Sequence, residues 1–380
     1  MKIFVAPNSF KGSLTAVQAA GAMFKGIKKA LPCAEVRLLP VSDGGDGFME
    51  VLLRRLGGKV LRARVRDPLG RPRRAHYAML ADGKTAVLEM AAASGMALLK
   101  KHELDPLNAT SCGTGQLIMA AAEYGAKTAL VGLGGSATND AGAGAARAAG
   151  ARFLDRNGKE LPRGTKALLR LSRIDMSGLR PEIKGVSVIG VTDVINPLLG
   201  SRGSARVYGP QKGASPEEVA VMEAALARYA CVIRKQLGRN IGDMPGGAAA
   251  GGLGAGLNVF FGARLVDGAD FVLNMLEAEK EMRPADLILT GEGCFDSQSF
   301  FGKAPVAVSR LAGRLCKPAV VVCGQKKDIK EKLLKKNGIS HVITLAEAGA
   351  GPADSMARAA YWVEKTAEMA IRRFSEQGSK

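Results

Sequence analysis

Short apolar runs that end in glycine-containing polar turns recur along this chain of 380 residues. Near the N-terminus, the pattern predicts a strand at residues 2–6, a helix at about 15–30, a strand at 36–40 and a helix at about 48–56. Strands that alternate with helices form parallel sheets covered by helices. The sequence therefore predicts the α/β class, with a Rossmann-like parallel sheet.

The alternation is interrupted after about residue 62. Apolar segments on both sides of Asp82 and Gly83 indicate antiparallel strands, and strands again alternate with helices in the last third of the chain. A chain of this length also favours two domains of roughly 100–200 residues each. We predict a discontinuous Rossmann-like domain of residues 1–62 plus 284–380, an inserted α/β domain of residues 63–283, and an active-site cleft between them. Two consecutive domains that divide near residue 200 are the alternative.

Seven polar turns that contain glycine follow the strand-like runs. They span residues 9–14, 42–47, 134–140, 192–200, 209–215, 246–256 and 290–299. Ligands of open α/β sheets bind outside the carboxyl ends of the strands, so we expect these turns to line one crevice. The turn GGSATND at 134–140 is the most informative, because it precedes a predicted helix at 141–149 whose N-terminus would favour phosphate. A tight connection whose glycines only relieve crowding is the alternative explanation.

Charged side chains in and beside these turns are of the kinds that phosphoryl transfer needs. Carboxylates hold Mg²⁺ or accept the proton of an acceptor hydroxyl, and cations neutralise the transferred group. The acids are Asp43, Asp46, Asp140, Asp193, Glu292 and Asp296, and the cations are Lys11, Lys212 and Lys303. Any single one of these acids is more commonly an N-cap or Asx-turn residue. Together they favour a catalytic cleft.

Composition and missing motifs argue against several classes of protein. The net charge of +19 arises largely from basic groups without interleaved aromatic residues, which favours a solvated surface attractive to anionic metabolites over specific nucleic-acid binding. The six cysteines form no CxxC pair and the three histidines show no ligand spacing, so a zinc site is not expected. No apolar run reaches the roughly 18–20 residues of a membrane span, and a strand-like segment begins at Lys2, so we expect a cytoplasmic protein. Motifs of P-loop enzymes, protein kinases, nicotinamide-dependent enzymes and GxSxG hydrolases do not occur.

Nine motifs, taken in order, make the chain resemble the bacterial glycerate kinase family of type 1. They are APNSFKGSL from Ala6, SDGGDG, MAAASG, GTGQL, GGSATND, DVINPLLG, VYGPQKGAS, AAGGLGAGL and TGEGCFDSQS, and they extend over nearly the whole chain. The resemblance implies two α/β domains, one inserted in the other, and phosphorylation of D-glycerate with ATP and a divalent metal, Mg²⁺. Asn8 and Gly12 stand where the family commonly has acids, and Cys294 stands where it commonly has Arg. Cysteine cannot supply the positive charge of Arg, so either another cation compensates or the affinity and substrate preference differ.

We expect in-line transfer of the γ-phosphoryl group of ATP to a hydroxyl of glycerate, with 2-phosphoglycerate favoured over 3-phosphoglycerate. Asp193, Asp140 and Lys11 are the expected catalytic residues, and Asp140 and Asp193 are also the expected metal ligands; which acid is the base stays open. The residues expected to bind substrate or phosphate are Ser9, Ser13, Asp43, Gly134, Gly135, Ser136, Thr138, Asn139, Asn196, Lys212, Glu292 and Asp296.

The expected partners are ATP and glycerate, without specific nucleic acid and without a membrane, and a homodimer is one possible assembly. Two other functions are alternatives. One is a kinase or phosphatase for another small hydroxy acid, and the other is a non-catalytic metabolite-binding regulator whose basic surface binds nucleic acid.

Overall fold

Strands and helices alternate along the computed structural model, which describes residues 1–300, 302–327 and 329–377. The strands are β1 (Lys2–Val5), β2 (Glu35–Leu38), β3 (Gly58–Arg66), β4 (Pro72–Leu80), β5 (Thr85–Glu89), β6 (Thr128–Gly132), β7 (Arg152–Leu154), β8 (Arg173–Asp175), β9 (Ser187–Thr192), β10 (Arg264–Asp267), β11 (Leu287–Phe295), β12 (Ala319–Lys326) and β13 (Ile339–Thr344). The helices are α1 (Ala16–Ala30), α2 (Phe48–Leu56), α3 (Ala91–Ser94), α4 (Cys112–Glu123), α5 (Ala143–Ala148), α6 (Ser204–Tyr208), α7 (Pro216–Leu237), α8 (Leu253–Phe261), α9 (Gly268–Met275), α10 (Ala278–Met282), α11 (Ala304–Arg314), α12 (Glu331–Lys336), α13 (Pro352–Ala357) and α14 (Ala359–Gln377). This alternation confirms the predicted α/β class. None of the described helices is both long enough and apolar enough to cross a membrane.

The chain forms two compact units. The first unit combines Met1–Arg55 with Asp267–Lys380, and the second unit is Leu56–Val266. The domain boundaries expected from the sequence, at 62/63 and 283/284, and the expected cleft stay predictions.

The first unit contains a sheet in the order β13-β12-β11-β1-β2, whose neighbouring strands pair in parallel. Helix α1 packs on α14 so closely that a Cβ at Gly26 would lie 2.1 Å from the carbonyl oxygen of Glu364. The chain continues from β1 to β2 on one side of β1, whereas β11 lies on the other side. Ligands bind at the carboxyl ends of strands beside such a change of direction. The segments after β1, β2 and β11 are therefore the places for a site in this unit.

The second unit contains a sheet in the order β10-β9-β6-β5-β4-β3 and a separate pair formed by β7 and β8. Strands β3 and β4 pair antiparallel over their whole length, and β4 pairs antiparallel with β5, as the apolar segments around Asp82 predict. Strands β5, β6 and β9 pair in parallel. Because the carboxyl ends of parallel strands meet at one edge of a sheet, the turns that follow β6 and β9 begin side by side.

Local signals predict the helix ends with unequal success. The apolar periodicity after Pro216 predicts a helix over 216–237, and α7 has these bounds, with Ser215 and Glu218 forming a capping box at its start. The predicted start of α5 at Ala141 is wrong. Ala141 and Gly142 have φ angles of +49° and +75°, which are incompatible with a right-handed helix, and α5 begins only after them.

The predicted end of strand β11 is also wrong. The strand continues through residues that were expected to form a polar turn, and Glu292 is aligned with Cys323 of β12. Glycine permits this pairing, since a Cβ at Gly291 would lie 2.1 Å from the carbonyl oxygen of Val322. Glu292 therefore projects from a strand rather than from a mobile turn.

Candidate functional site

The SATND loop, residues 134–140, follows β6 and is packed against glycine backbone. Gly251 has a φ of +70°, and a Cβ at this position would lie 1.8 Å from the carbonyl oxygen of Thr138. Only a residue without a side chain allows so close an approach. The Ala141 N–H also donates to the carbonyl oxygen of Gly251 at 3.1 Å. The glycine motif at 246–256, expected to be another ligand turn, thus packs against the SATND loop and fixes its backbone.

Lys212 is a buried lysine beside the SATND loop. It ends a single helical turn, Pro210–Lys212, and is 2% exposed. Its Nζ donates to Ser136 Oγ at 2.8 Å and to the carbonyl oxygen of Thr138 at 2.6 Å. Both acceptors are neutral. Burial lowers the pKa of Lys212 to about 7, although the negative charge of Asp140 acts to raise it.

Asp140 is a fully buried carboxylate that four internal donors satisfy. Its Oδ2 accepts from Ser111 N, Ser111 Oγ and Gly144 N at 2.9, 3.1 and 3.1 Å, and its Oδ1 accepts from Gly142 N at 3.2 Å. Burial raises the pKa of Asp140, and these hydrogen bonds act in the opposite direction. The carboxylate therefore joins the start of α4 to the start of α5. It accepts from N–H groups at the helix start that the sequence assigned to phosphate.

Two buried donors in the SATND loop have no hydrogen-bond partner among the described residues. They are Thr138 Oγ1 and Asn139 Nδ2, and both side chains are 0% exposed. The other end of the Asn139 amide is fixed, because its Oδ1 accepts from Ser204 Oγ at 2.7 Å. A buried polar atom without a partner costs about 1–3 kcal/mol, so an oxygen-rich ligand would stabilise this loop.

The remaining predicted residues of the second unit lie at the ends of β6 and β9. Gly135 has a φ of +74°, and its carbonyl oxygen accepts from Met96 N at 2.9 Å; Gly134 beside it is half-buried. Asp193 is half-buried directly after β9, and its charge, together with burial, raises the pKa of Tyr208. The Asn196 side chain instead orders its own turn, since it donates to Arg202 O and accepts from Tyr208 Oη.

In the first unit, polar groups from three strand ends form a cluster that we call the acidic cluster: Asn8, Asp43, Glu292 and Lys303. Asn8 Nδ2 donates to Asp43 Oδ2 at 2.8 Å. Lys303 Nζ donates to Glu292 Oε2 at 3.2 Å, and Ser299 Oγ donates to Glu292 Oε1 at 2.6 Å. The cluster thus contains two carboxylates and a single lysine.

Burial controls the protonation of this acidic cluster. It raises the pKa of Glu292, which is 5% exposed, to about 7, although Lys303 and Ser299 act to lower it. Burial also raises the pKa of Asp43, against hydrogen bonds from backbone N–H groups and the charge of Lys303. Glu292 can therefore exchange a proton near neutral pH. Among the described residues, no three His, Cys, Asp or Glu side chains form a group that could hold a metal ion on their own.

Lys11 lies apart from the buried groups, at the rim of a pocket of about 280 Å³ in the first unit. Ser9, Ser13 and Asp46 also line this pocket, which lies at the start of α1. Ser13 Oγ donates to Phe10 O at 2.9 Å, and Ser9 N donates to Asn8 Oδ1 at 2.8 Å. The latter bond connects the pocket to the acidic cluster.

Asp296 and Cys294 lie at the end of β11. Asp296 Oδ1 accepts from Gln298 N at 2.9 Å, so the carboxylate caps its own turn. The Cys294 Sγ lies 3.8 Å from Asp296 Oδ2. Burial raises the pKa of the Cys294 thiol, whereas the charges of Lys327 and Lys303 act to lower it. Two lysines therefore already place positive charge beside Cys294, the position where the family commonly has Arg.

Sequence reasoning missed Ser111, Ser204 and Ser299, which hold Asp140, Asn139 and Glu292 respectively. Ser111 stands at the N-cap position of α4, but its side chain does not cap that helix and donates to Asp140 instead. Its carboxylate partner is 29 residues away along the chain, so only the fold reveals the pair.

Comparison with known proteins gives one consistent result. The model of the glycerate kinase family matches residues 3–375. The chain is 41% identical to glycerate 2-kinase of Escherichia coli, over 98% of this chain and 99% of that protein, and 41% identical to glycerate kinase of Bacillus subtilis, over 97% and 96%. A crystal structure from Salmonella typhimurium LT2, provisionally described as glycerate kinase 2, is similar with a TM-score of 0.83 and 38% identity, covering 100% of both chains.

Proposed function

The chain belongs to the glycerate kinase family and is a kinase, and from this premise we propose that it transfers the γ-phosphoryl group of ATP to D-glycerate, giving 2-phosphoglycerate and ADP. The proposal depends most on Lys212, a buried amine whose hydrogen-bond acceptors among the described residues are both neutral. Phosphate oxygens would give this amine an anionic partner.

The nucleotide phosphates are assigned to the SATND loop. The hydroxyl of Thr138 and the amide NH₂ of Asn139 are buried donors without a described partner, and Lys212 binds the same loop. Ser136 Oγ already accepts from Lys212, so its proton remains available for a phosphate oxygen. These donors surround one stretch of backbone that the glycines at 251 and 252 hold in place.

A magnesium ion fits Asp193 better than Asp140. Mg²⁺ bound to a nucleotide takes one or two carboxylates and completes its shell with phosphate oxygens and water. Asp193 is half-buried at the carboxyl end of β9 and so partly open to solvent, whereas Asp140 is only 1% exposed. We therefore assign metal binding to Asp193 and a positioning role to Asp140. The ion would neutralise charge on the phosphates of bound ATP.

The acceptor is assigned to the first unit. Glu292 has a pKa of about 7, which suits a group that accepts the hydroxyl proton of glycerate at neutral pH. Lys11, with Ser9 and Ser13 in the same pocket, would bind the carboxylate of glycerate. Asp296 caps the turn after β11 and would shape the substrate side indirectly.

The test is an assay of ADP release with Mg-ATP and a panel of D-glycerate, L-glycerate, glycolate, lactate and tartronate, with the product identified by NMR. Turnover confined to D-glycerate, with phosphate on carbon 2, is the expected result. The change at Cys294 favours a second candidate function, a kinase for another small hydroxy acid, which turnover of a different panel member would reveal. The absence of turnover, combined with salt-sensitive DNA binding, would overturn the kinase proposal in favour of a binding protein. A homodimer stays a prediction that light scattering can test.

A further inference from the structure

The contacts of Lys212 match a neutral amine better than an ammonium ion. A neutral lysine amine carries two N–H groups and an ammonium carries three. The described residues offer Lys212 two acceptors, Ser136 Oγ at 2.8 Å and Thr138 O at 2.6 Å. Both N–H groups of the neutral amine are thus satisfied, whereas the third N–H of an ammonium would need an acceptor from a ligand.

The surroundings of Lys212 supply little negative charge. Its turn packs against the SATND loop, against α6 and against Leu104. The titratable or charged groups on or next to these neighbours are Asp140 of the SATND loop, Arg206 and Tyr208 of α6, and Glu103 and Asp105 beside Leu104. None of them forms an ion pair with Lys212, and Glu103 is paired with Arg71 at 2.7 Å.

Among the described residues, Asp140 is the one group whose charge acts on Lys212, and it forms no ion pair with the amine. Its carboxylate is already held by Ser111, Gly142 and Gly144. Burial therefore outweighs the attraction of Asp140 and brings the pKa of Lys212 to about 7.

We propose that Lys212 is a neutral amine while no anion is bound, and that it takes up one proton from solvent when a phosphate group of the nucleotide enters the SATND loop. The proton binds the lone pair of the amine, and the ammonium formed donates its third N–H to a phosphate oxygen. No bond to phosphorus forms or breaks in this step. The inference rests on the proposed function, because it takes nucleotide phosphate as the ligand. Nucleotide affinity then falls as the pH rises above neutrality.

The test is calorimetric titration of the full chain with the magnesium complex of adenylyl imidodiphosphate, an ATP analogue that is not transferred. Titration at about pH 8 in two buffers of different ionisation enthalpy gives the number of protons bound with the ligand. The wild type should take up about 0.9 proton, since an amine with a pKa of about 7 is mostly neutral at that pH. Lys212→Arg, which is always charged, should bind the analogue without this uptake. Lys235→Arg, an exposed substitution on α7, is the matched control and should behave as the wild type does.

Tight binding by the wild type without proton uptake would overturn the inference and leave the proposed function intact. Equal uptake by Lys212→Arg would also overturn it, because the proton would then bind elsewhere. Failure of the wild type to bind the analogue would instead count against the proposed function. A measurement that needs no variant is the dissociation constant of the wild type, which should rise about tenfold between about pH 8 and pH 9; a flat profile contradicts the inference.

Discussion

The SATND loop and the acidic cluster bury charge in opposite ways. In the SATND loop, the amine of Lys212 contacts only neutral acceptors, and the nearby Asp140 is satisfied by other donors. In the acidic cluster, Lys303 is paired with Glu292, and Asp43 adds a second carboxylate. A buried amine without an anionic partner favours an anionic ligand, whereas an excess of carboxylate favours a proton, a metal or a hydroxyl donor. The contrast explains why phosphate is assigned to one region and the hydroxyl acceptor to the other.

The largest expected effect separates the two acids of the second unit. Asp193→Asn should lower kcat/KM by about 10²–10⁴-fold, because it removes the proposed metal ligand. Asp140→Asn should instead destabilise the protein by about 1–3 kcal/mol, since its amide NH₂ would face either the N–H groups of Ser111 and Gly144 or the N–H of Gly142. Steady-state kinetics and urea unfolding of both variants measure the difference. A loss of activity in Asp140→Asn without loss of stability would mean that Asp140 is a catalytic residue and not a positioning residue.

Lysine-to-methionine substitutions test the contrast between the two regions directly. Lys212→Met should lower kcat/KM by about 10²–10³-fold and leave the stability of the ligand-free protein equal or higher, because the folded state no longer has to release the proton of a buried lysine. Lys303→Met should reduce stability at about pH 8 by about 1–3 kcal/mol, because Glu292 and Asp43 lose their cation. Urea unfolding of the two variants gives the sign of each change. Equal destabilisation by both substitutions would show that the two regions do not differ in how they bury charge.

The parts of the fold that local signals determine could be predicted. The bounds of α7 follow from a serine cap, a proline in the first turn and Gly238 at the end, all within one segment. The end of β11 could not be predicted, because glycine and polar residues are poor strand formers and their strand conformation depends on pairing with β12. The sequence predicts too early an end for β11, because the strand that stabilises its last residues lies further along the chain.

For the candidate site, the residues could be predicted from the sequence but their roles could not. Residue types at the turns identified Lys212, Asp140 and Glu292 as functional candidates. Their roles depend on partners far along the chain, such as the 76 residues that separate Lys212 from Ser136. Burial also decides protonation, and the sequence does not show that Lys212 contacts only neutral atoms while Lys303 contacts a carboxylate.

The two regions should give stability profiles of opposite slope with pH. The pKa of Glu292 is raised from 4.5 to about 7 in the folded protein, so the folded state binds more protons between these values and the contribution of Glu292 to stability falls as the pH rises through this window. The pKa of Lys212 is lowered from 10.5 to about 7, so the folded state binds fewer protons above pH 7 and stability rises with pH toward 10.5. Over its whole pH window, each change in stability amounts to a few kcal/mol, since one pKa unit corresponds to about 1.4 kcal/mol.

Urea unfolding between about pH 5 and pH 10 measures these slopes. Glu292→Gln should flatten the lower part of the profile and Lys212→Met the upper part. If Glu292→Gln flattened the upper part, or neither variant changed the profile, the assigned protonation states would be wrong.

The smallest expected effect concerns Cys294. The charges of Lys327 and Lys303 already act on its thiol, so an added guanidinium would meet two cations as well as the substrate carboxylate. Cys294→Arg should therefore change the KM for D-glycerate by less than about fivefold, the range of an exposed ion pair. Lys327→Ala should raise this KM by a similar factor, and Cys294→Arg should restore it when both changes are combined. A large gain for D-glycerate over glycolate or lactate in Cys294→Arg alone would mean that Lys327 does not compensate for the missing Arg, and that the acidic cluster of the natural chain is built for a different hydroxy acid.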